Sequence, residues 1–307
     1  MIVLAGALAA VTGCGSEPAG VRSVRLALDF QPNAVHAGIY TAIRDGADER
    51  HGVDLEVRPP AASTDSIKLL TAGRADLAVV DIHDLALARE RGQDLVGVGA
   101  LVQRPLAAVI ARGDLKRPRG LAGARVGVTG LPSDDAVLRA VLEHDGASLG
   151  DVRRVTIGFS AVPSLIAERV DAVVAFWNAE GVTLRLRGVD TTEFRVDRYG
   201  APRYPELVVA TTRATLDRDP ELVRDTLAAL RDGTREVLSN PPKAVDEVGK
   251  ASGEDEHVVR AQLEALAPAL RPPLRLSRGA LEAWARFDVR FGILARPPDL
   301  DRAFATP

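Results

Sequence analysis

Ala75-Asp76-Leu77-Ala78-Val79-Val80 and Val170-Asp171-Ala172-Val173-Val174-Ala175 share one form, [Ala/Val]-Asp-x-[Ala/Val]-Val-[Val/Ala]. Each is short, rich in Ala and Val, and uncharged after its Asp, as expected of a strand buried on both faces. Each follows a stretch with helical spacing. Around the first copy, Val24–Phe30 alternates apolar and polar residues like a half-buried strand, and Ala34–Arg50 fits a helix closed by Gly52. Val53–Arg58 is a strand ended by Pro59-Pro60, and Ser63–Ala72 is a helix with Ser63 as N-cap and Gly73 past its end. Ile82–Arg91 is helical, and apolar strands follow at Leu95–Leu101 and Ala107–Ala111. The order βαβαβ predicts a parallel sheet with right-handed crossovers. Around the second copy the pattern restarts, with strands at Arg125–Thr129 and Val152–Ile157 and helices at Ser133–Asp145 and Val162–Arg169. Two similar α/β units are therefore expected, not one long sheet. After a turn-rich stretch comes a strand at Leu207–Ala210, and the remainder is helical. Asp219-Pro220 opens a helix that Asn240-Pro241-Pro242 breaks, and further helices fit Pro242–Ala251, Glu254–Leu266 and Ser277–Phe291.

A chain of 307 residues exceeds what one hydrophobic core usually organises, so two lobes suit its length. Lys and Arg number 39 against 42 Asp and Glu, a formal charge of −3, which argues against nucleic acid as a partner. The single cysteine, Cys14, excludes an internal disulfide, an iron–sulfur cluster and a Cys-rich zinc site. No pair among His36, His51, His83, His144 and His257 has H-x-x-x-H spacing, so no metal site is assigned. Neither G-x-x-x-x-G-K-[ST], G-x-G-x-x-G nor G-x-S-x-G occurs.

Ile2–Gly13 is uncharged, mostly apolar and too short to span a membrane as a helix, and suits the core of a signal peptide. It ends in Val11-Thr12-Gly13-Cys14, followed by a polar linker, which resembles the lipobox of bacterial lipoproteins. The resemblance implies removal of residues 1–13, lipidation of Cys14 and a tether over residues 14–21.

Aromatic residues make up only 4% of the chain, so their gathering is informative. Asp29 to Tyr40 (DFQPNAVHAGIY) joins the first strand to the first helix and holds Phe30, Asn33, His36 and Tyr40. His36 and Tyr40 are four apart, on one helix face. Phe176-Trp177-Asn178-Ala179-Glu180-Gly181 takes the equivalent place after the second Asp-containing strand. Both lie at strand carboxyl ends, where open α/β sheets hold ligands. Two readings of each segment stand side by side. Asn33 and Asn178 are natural helix caps, Tyr40 a core residue and Glu180 a favourable first-turn charge. Alternatively, an aromatic face beside an amide and a carboxylate suits a flat, amine-bearing heterocycle.

Together these segments resemble the thiamine-pyrimidine-precursor-binding proteins, solute receptors of bacterial ABC importers. That family shows D-W-x-P-N-x-x-H-x-G-[IL]-Y near its mature N-terminus and W-N-x-E-G in its second lobe. Here they stand as Asp29 to Tyr40, with Phe30 in place of the tryptophan, and Trp177 to Gly181. The stretches Ala100–Leu106 and Gly130–Asp134 also fit, and the likeness covers most of residues 24–212.

The resemblance implies a type II periplasmic-binding-protein-like fold, with two α/β lobes joined by two crossing strands near Leu106–Ala111 and Leu207–Ala210. Lobe 1 would comprise residues 22–107 and 207–307, and lobe 2 residues 108–206. It implies an interlobe site for a formylaminopyrimidine- or hydroxymethylpyrimidine-type ligand, formed by Phe30, Asn33, His36, Tyr40, Trp177, Asn178 and Glu180. Glu180 would accept hydrogen bonds from the aminopyrimidine edge, while Tyr40 and Trp177 would offer ring faces. It further implies no catalytic residue or cofactor, an ABC permease as partner, and a lipid-anchored place on the outer face of the cell membrane. Related receptors take riboflavin or sulfonates. The fungal pyrimidine-phosphate synthase, an enzyme, shares the fold and the N-x-x-H segment, but carries a cysteine-rich iron-binding segment that has no counterpart here.

Overall fold

The computed structural model describes residues 20–62 and 64–306. The export segment, Cys14 and Ser63 lie outside the described residues.

Among the described residues, ten strands form two five-stranded sheets. The first sheet contains β1 (Arg22–Ala27), β2 (Val53–Arg58), β3 (Leu77–Asp81) and β4 (Leu95–Ala100). The second contains β5 (Ala107–Arg112), β6 (Arg125–Val128), β7 (Arg153–Thr156), β8 (Ala172–Phe176) and β9 (Thr191–Arg195). The chain then returns and adds β10 (Leu207–Thr212) to the first sheet. The orders are β2-β1-β3-β10-β4 and β7-β6-β8-β5-β9.

The two sheets follow one plan. Three strands are mutually parallel, β1 pairing with β2 and β3, and β6 with β7 and β8. The fourth position is filled by a strand arriving from the other lobe. β10 runs antiparallel to both β3 and β4, and β5 runs antiparallel to both β8 and β9. This corrects the expectation of a parallel βαβαβ sheet containing Ala107–Ala111. That segment belongs to the second sheet, and each sheet is mixed because a strand entering across the hinge runs against its neighbours. The polypeptide crosses from lobe to lobe twice, through residues 101–106 and 196–206.

The expected helix Ala34–Arg50 is three pieces. A 3-10 turn, Ala34–His36, leads into helix Ala37–Arg44, and a further short helix covers Ala47–Arg50. The break falls at Gly46, whose φ of 63° lies in the left-handed region that glycine enters without penalty. Helix Ala37–Arg44 is clamped by the long tail helix Pro220–Ser239. A Cβ at Gly233 would lie 2.0 Å from the Gly38 carbonyl oxygen and 2.7 Å from the Ala42 nitrogen. The two backbones therefore touch directly, and the segment after β1 rests on a fixed support. Strand β9 falls within the stretch expected as turns, because four of its five residues, Thr191-Thr192-Glu193-Phe194-Arg195, are polar.

The tail helices complete the first lobe. Gly97 pairs with Phe304 and Ala100 with Leu274 through isolated bridges beside β4. Helix Glu256–Leu266 also reaches the second lobe, where buried Gln262 donates from Nε2 to Thr183 Oγ1 at 3.3 Å.

Candidate functional site

The carboxyl ends of β1, β3, β6 and β8 converge on one cavity of ≈ 290 Å³ between the sheets. Asp29 and Phe30 follow β1, Asp81 ends β3, Thr129 follows β6, and Phe176 ends β8, and all of them line it.

On the first-lobe wall the 3-10 turn is built by its own side chains. Asn33 Oδ1 accepts from the Val35 backbone N–H at 2.9 Å, and Asn33 Nδ2 donates to the Gln31 carbonyl at 3.0 Å. The Asn33 backbone N–H donates to His36 Nδ1 at 3.2 Å. With Nδ1 acting as acceptor, the ring proton resides on Nε2, which donates to Asp29 Oδ1 at 2.9 Å. His36 is fully buried and fixes the Asp29 carboxylate from behind. Asn33 thus caps the turn and also lines the cavity, so its two sequence readings hold together.

The second-lobe wall is the turn after β8. Glu180 lines the cavity, and its Oε2 accepts from the Phe176 backbone N–H at 3.0 Å. Burial raises the Glu180 carboxyl above its ordinary range, and the charge of Asp29, on the opposite lobe, adds to the shift. Phe30 meets Phe159 edge-on across the cleft, with ring centroids 4.4 Å apart. Both rings line the cavity together with Phe176.

Four of the expected site residues stand elsewhere. Trp177 is 5% exposed; its Nε1 donates to the Pro105 carbonyl at 3.1 Å, and the Arg195 guanidinium lies over its ring at 3.7 Å. Its N–H edge is turned to the crossing segment and a ring face to Arg195, and it does not line the cavity. Tyr40 packs half-buried against the core, and burial pushes its phenol up to about 12. His36 stands behind Asp29, as described. Asn178 is fully buried, and neither of its amide atoms has a partner among the described residues.

The cavity includes groups that were not singled out. Phe159 lies in Gly158-Phe159-Ser160, a lone aromatic just past the end of β7, which was a legible signal. Ser133 Oγ donates to Asp84 Oδ2 at 3.0 Å, joining helix Pro132–His144 of the second lobe to helix Ile82–Glu90 of the first. Burial lifts Asp84 to about 6, against the pull of the Ser133 hydrogen bond. Burial likewise lifts Asp134 to about 7, although Thr129 Oγ1 and the Gly130 and Leu131 N–H groups all donate to its Oδ2. In all, six carboxyl groups line the cavity (Asp29, Asp81, Asp84, Asp134, Glu180 and Glu206), against the two cations Lys68 and Arg91. Burial raises Asp81, Asp84, Asp134, Glu180 and Glu206, so the wall offers hydrogen-bonding carboxyls more than it offers full negative charge.

Several known proteins are similar. The formylaminopyrimidine-binding protein of Halalkalibacterium halodurans is 32% identical over 238 residues, covering 76% of this chain and 72% of that protein. A 4-amino-5-hydroxymethyl-2-methylpyrimidine phosphate synthase of Saccharomyces cerevisiae, THI11, is 25% identical over 71% of this chain and 67% of its own. Among solved structures, the alkanesulfonate-binding protein SsuA from Xanthomonas axonopodis pv. citri, bound to MOPS, superposes with a TM-score of 0.76. It is 18% identical, over 95% of this chain and all of that one, so the likeness is one of fold. Residues 33–244 match the family described as NMT1/THI5 like, and the match spans the 3-10 turn, the whole second lobe and both crossings. The chain belongs to the NMT1/THI5-like family.

Proposed function

We propose that the protein is the solute-binding component of an ABC importer and takes a small aminopyrimidine of the thiamine-precursor type between its lobes. The observation that carries this reading is the pair Asp29 and Glu180. They are acceptors from opposite lobes on one cavity, flanked by the rings of Phe30, Phe159 and Phe176. A flat ring fits among the phenyl groups, and exocyclic amines supply further donors to the two carboxylates. A ligand touching both walls binds the closed form better than the open one and shifts the population towards closure. A permease that reads the closed form then couples occupancy to transport. The 32% identity to a formylaminopyrimidine-binding protein supports the same reading.

Cavity size and charge argue for this ligand over the alternatives. A volume of ≈ 290 Å³ lies at the lower end of small-molecule pockets, roughly 300–1,000 Å³, and suits one ring better than a three-ring flavin. A sulfonate would find few cationic partners in the lining, Lys68 and Arg91. The synthase-like enzyme reading draws on the THI11 likeness at 25% identity, but the only cysteine, Cys14, precedes the folded lobes. In this reading Cys14 carries the lipid that holds the receptor at the outer face of the membrane.

The test is calorimetry with 4-amino-5-hydroxymethyl-2-methylpyrimidine on the wild type and Glu180→Gln. A charge-assisted hydrogen bond contributes about 1.5–3 kcal/mol, so its loss should weaken binding roughly ten- to a hundredfold. Ligand-free stability should change little. Unchanged affinity would reduce Glu180 to a brace for the Phe176 N–H and remove the basis for this ligand class.

A further inference from the structure

Glu206 lies in the second crossing and is fully buried, yet it lines the cavity. Its Oε2 accepts from the Leu106 and Ala107 backbone N–H groups at 2.8 and 3.4 Å, so it ties the second crossing to the first. Its Oε1 receives no N–H or O–H donor among the described residues. The neighbour of that carboxyl is Asp81, at the end of β3, which also lines the cavity. Asp81 Oδ1 caps helix Ile82–Glu90 by accepting from the His83 N–H at 2.8 Å. Burial raises both carboxyls above their ordinary range.

Behind this pair stands His83. Burial works against its imidazolium, but the Asp288 and Asp81 carboxylates raise it to about 10. Its Nδ1 donates to Asp288 Oδ1 at 2.6 Å, and its Nε2 to the Tyr204 hydroxyl at 3.1 Å. His83 is therefore committed to the tail helix and the crossing. Glu206 Oε1 is left with no N–H or O–H donor among the described residues, in a carboxyl that lines the cavity beside Asp81.

The position of this pair relative to Glu180 follows from strand register. Ala107 of β5 is the partner of Phe176 of β8, and the Trp177 N–H bonds the Leu106 carbonyl beside them. Ala107 and Phe176 are thus a non-hydrogen-bonded antiparallel pair, whose N–H groups point away from each other. Glu206 is held on the Ala107 N–H and Glu180 on the Phe176 N–H. The two carboxylates flank one strand pair from opposite sides.

We propose that Asp81 and Glu206 form a second recognition point in the cavity, which takes an N–H or O–H donor on the ligand edge away from Glu180. This rests on the aminopyrimidine reading and narrows it to pyrimidines carrying a second donor-bearing substituent. The experiment compares 4-amino-5-hydroxymethyl-2-methylpyrimidine with 4-amino-2,5-dimethylpyrimidine, which lacks the hydroxyl. Binding to the wild type, Asp81→Asn and Glu206→Gln is measured by calorimetry. The wild type should prefer the hydroxylated compound by about five- to tenfold, the worth of one neutral hydrogen bond. Asp81→Asn preserves the cap, since Asn caps helices as well as Asp. It also offers an amide N–H to Glu206 Oε1, filling the acceptor. The preference should then fall below about twofold, with affinity for the dimethyl compound nearly unchanged. Should Glu206→Gln loosen the crossings, its unfolding midpoint will show it, and Asp81→Asn alone decides. A preference retained in Asp81→Asn, or equal losses for both compounds, overturns the second recognition point and leaves the aminopyrimidine site standing. Wild type that binds neither compound overturns both.

Discussion

Replacing Trp177 separates a hinge brace from a ligand platform. The indole is 5% exposed, donates to the Pro105 carbonyl at 3.1 Å and lies 3.7 Å beneath the Arg195 guanidinium. Trp177→Ala removes all three interactions. Truncating a buried Trp costs about 3–5 kcal/mol, which includes the cavity left behind. Leaving the Pro105 carbonyl without its donor falls within that range at about 1 kcal/mol. The Arg195 contact adds about 0.5–2 kcal/mol, since this guanidinium is half-buried and burial already lowers its pKa. We expect ligand-free Trp177→Ala to lose about 5 kcal/mol. Trp177→Phe, which keeps a ring under Arg195 but loses the N–H, should lose about 1–2 kcal/mol. Urea denaturation of the ligand-free proteins, followed by circular dichroism, reads both. Trp177→Phe should bind the aminopyrimidine within about threefold of the wild type. A normal unfolding midpoint for Trp177→Ala, combined with a large loss of affinity, would show that the ring serves the ligand and refute this placement.

Two further outcomes follow from the same geometry. His36→Leu fills the volume of the ring but removes both of its hydrogen bonds, to Asp29 and from Asn33. Ligand-free stability should fall by about 2–4 kcal/mol and affinity should fall with it as Asp29 is released; an unchanged denaturation midpoint would make His36 a direct ligand contact instead. Asp84 and Asp134, lifted from 3.8 to about 6 and about 7, give stability that is present when they are protonated and lost as pH rises through that window. The ligand-free protein should therefore melt higher at about pH 5.5 than at about pH 7.5. The double variant Asp84→Asn/Asp134→Asn should show a flatter profile, and an unaltered slope would contradict the assignment.

The fold was legible wherever a local pattern determined it. The two Asp-containing strands, the helices between them and the restart of the pattern all follow from spacing. Strand order did not, because β5 and β10 carry the same Ala/Val composition whether their neighbours run parallel or antiparallel. Pairing across the hinge is a non-local property. Within the site, the Phe176-Trp177 pair shows the limit most clearly. Successive side chains of extended backbone point to opposite sides, so one of two adjacent aromatics at a strand end can face the cleft and the other cannot. Sequence does not say which. The structure gives the cavity to Phe176 and the crossing segment to Trp177.

The carboxylates show a different limit. Asp29, Asp81, Asp84, Asp134, Glu180 and Glu206 are scattered along the chain, and each alone reads as a surface charge or a helix cap. Only the convergence of strand ends from both lobes makes them one acidic surface. Asp29 acts on Glu180 across the cleft, and Asp84 acts on Asp134. Burial, which penalises the charged form, is the main reason the Glu180 and Asp134 carboxyls rise, and the facing charges add to it. A solute that supplies donors between them removes that penalty, whereas a solute that merely stacks does not. In the proposed function the facing carboxylates carry most of the ligand's preference for a closed form, and the phenyl rings of Phe30, Phe159 and Phe176 set the shape of what can enter.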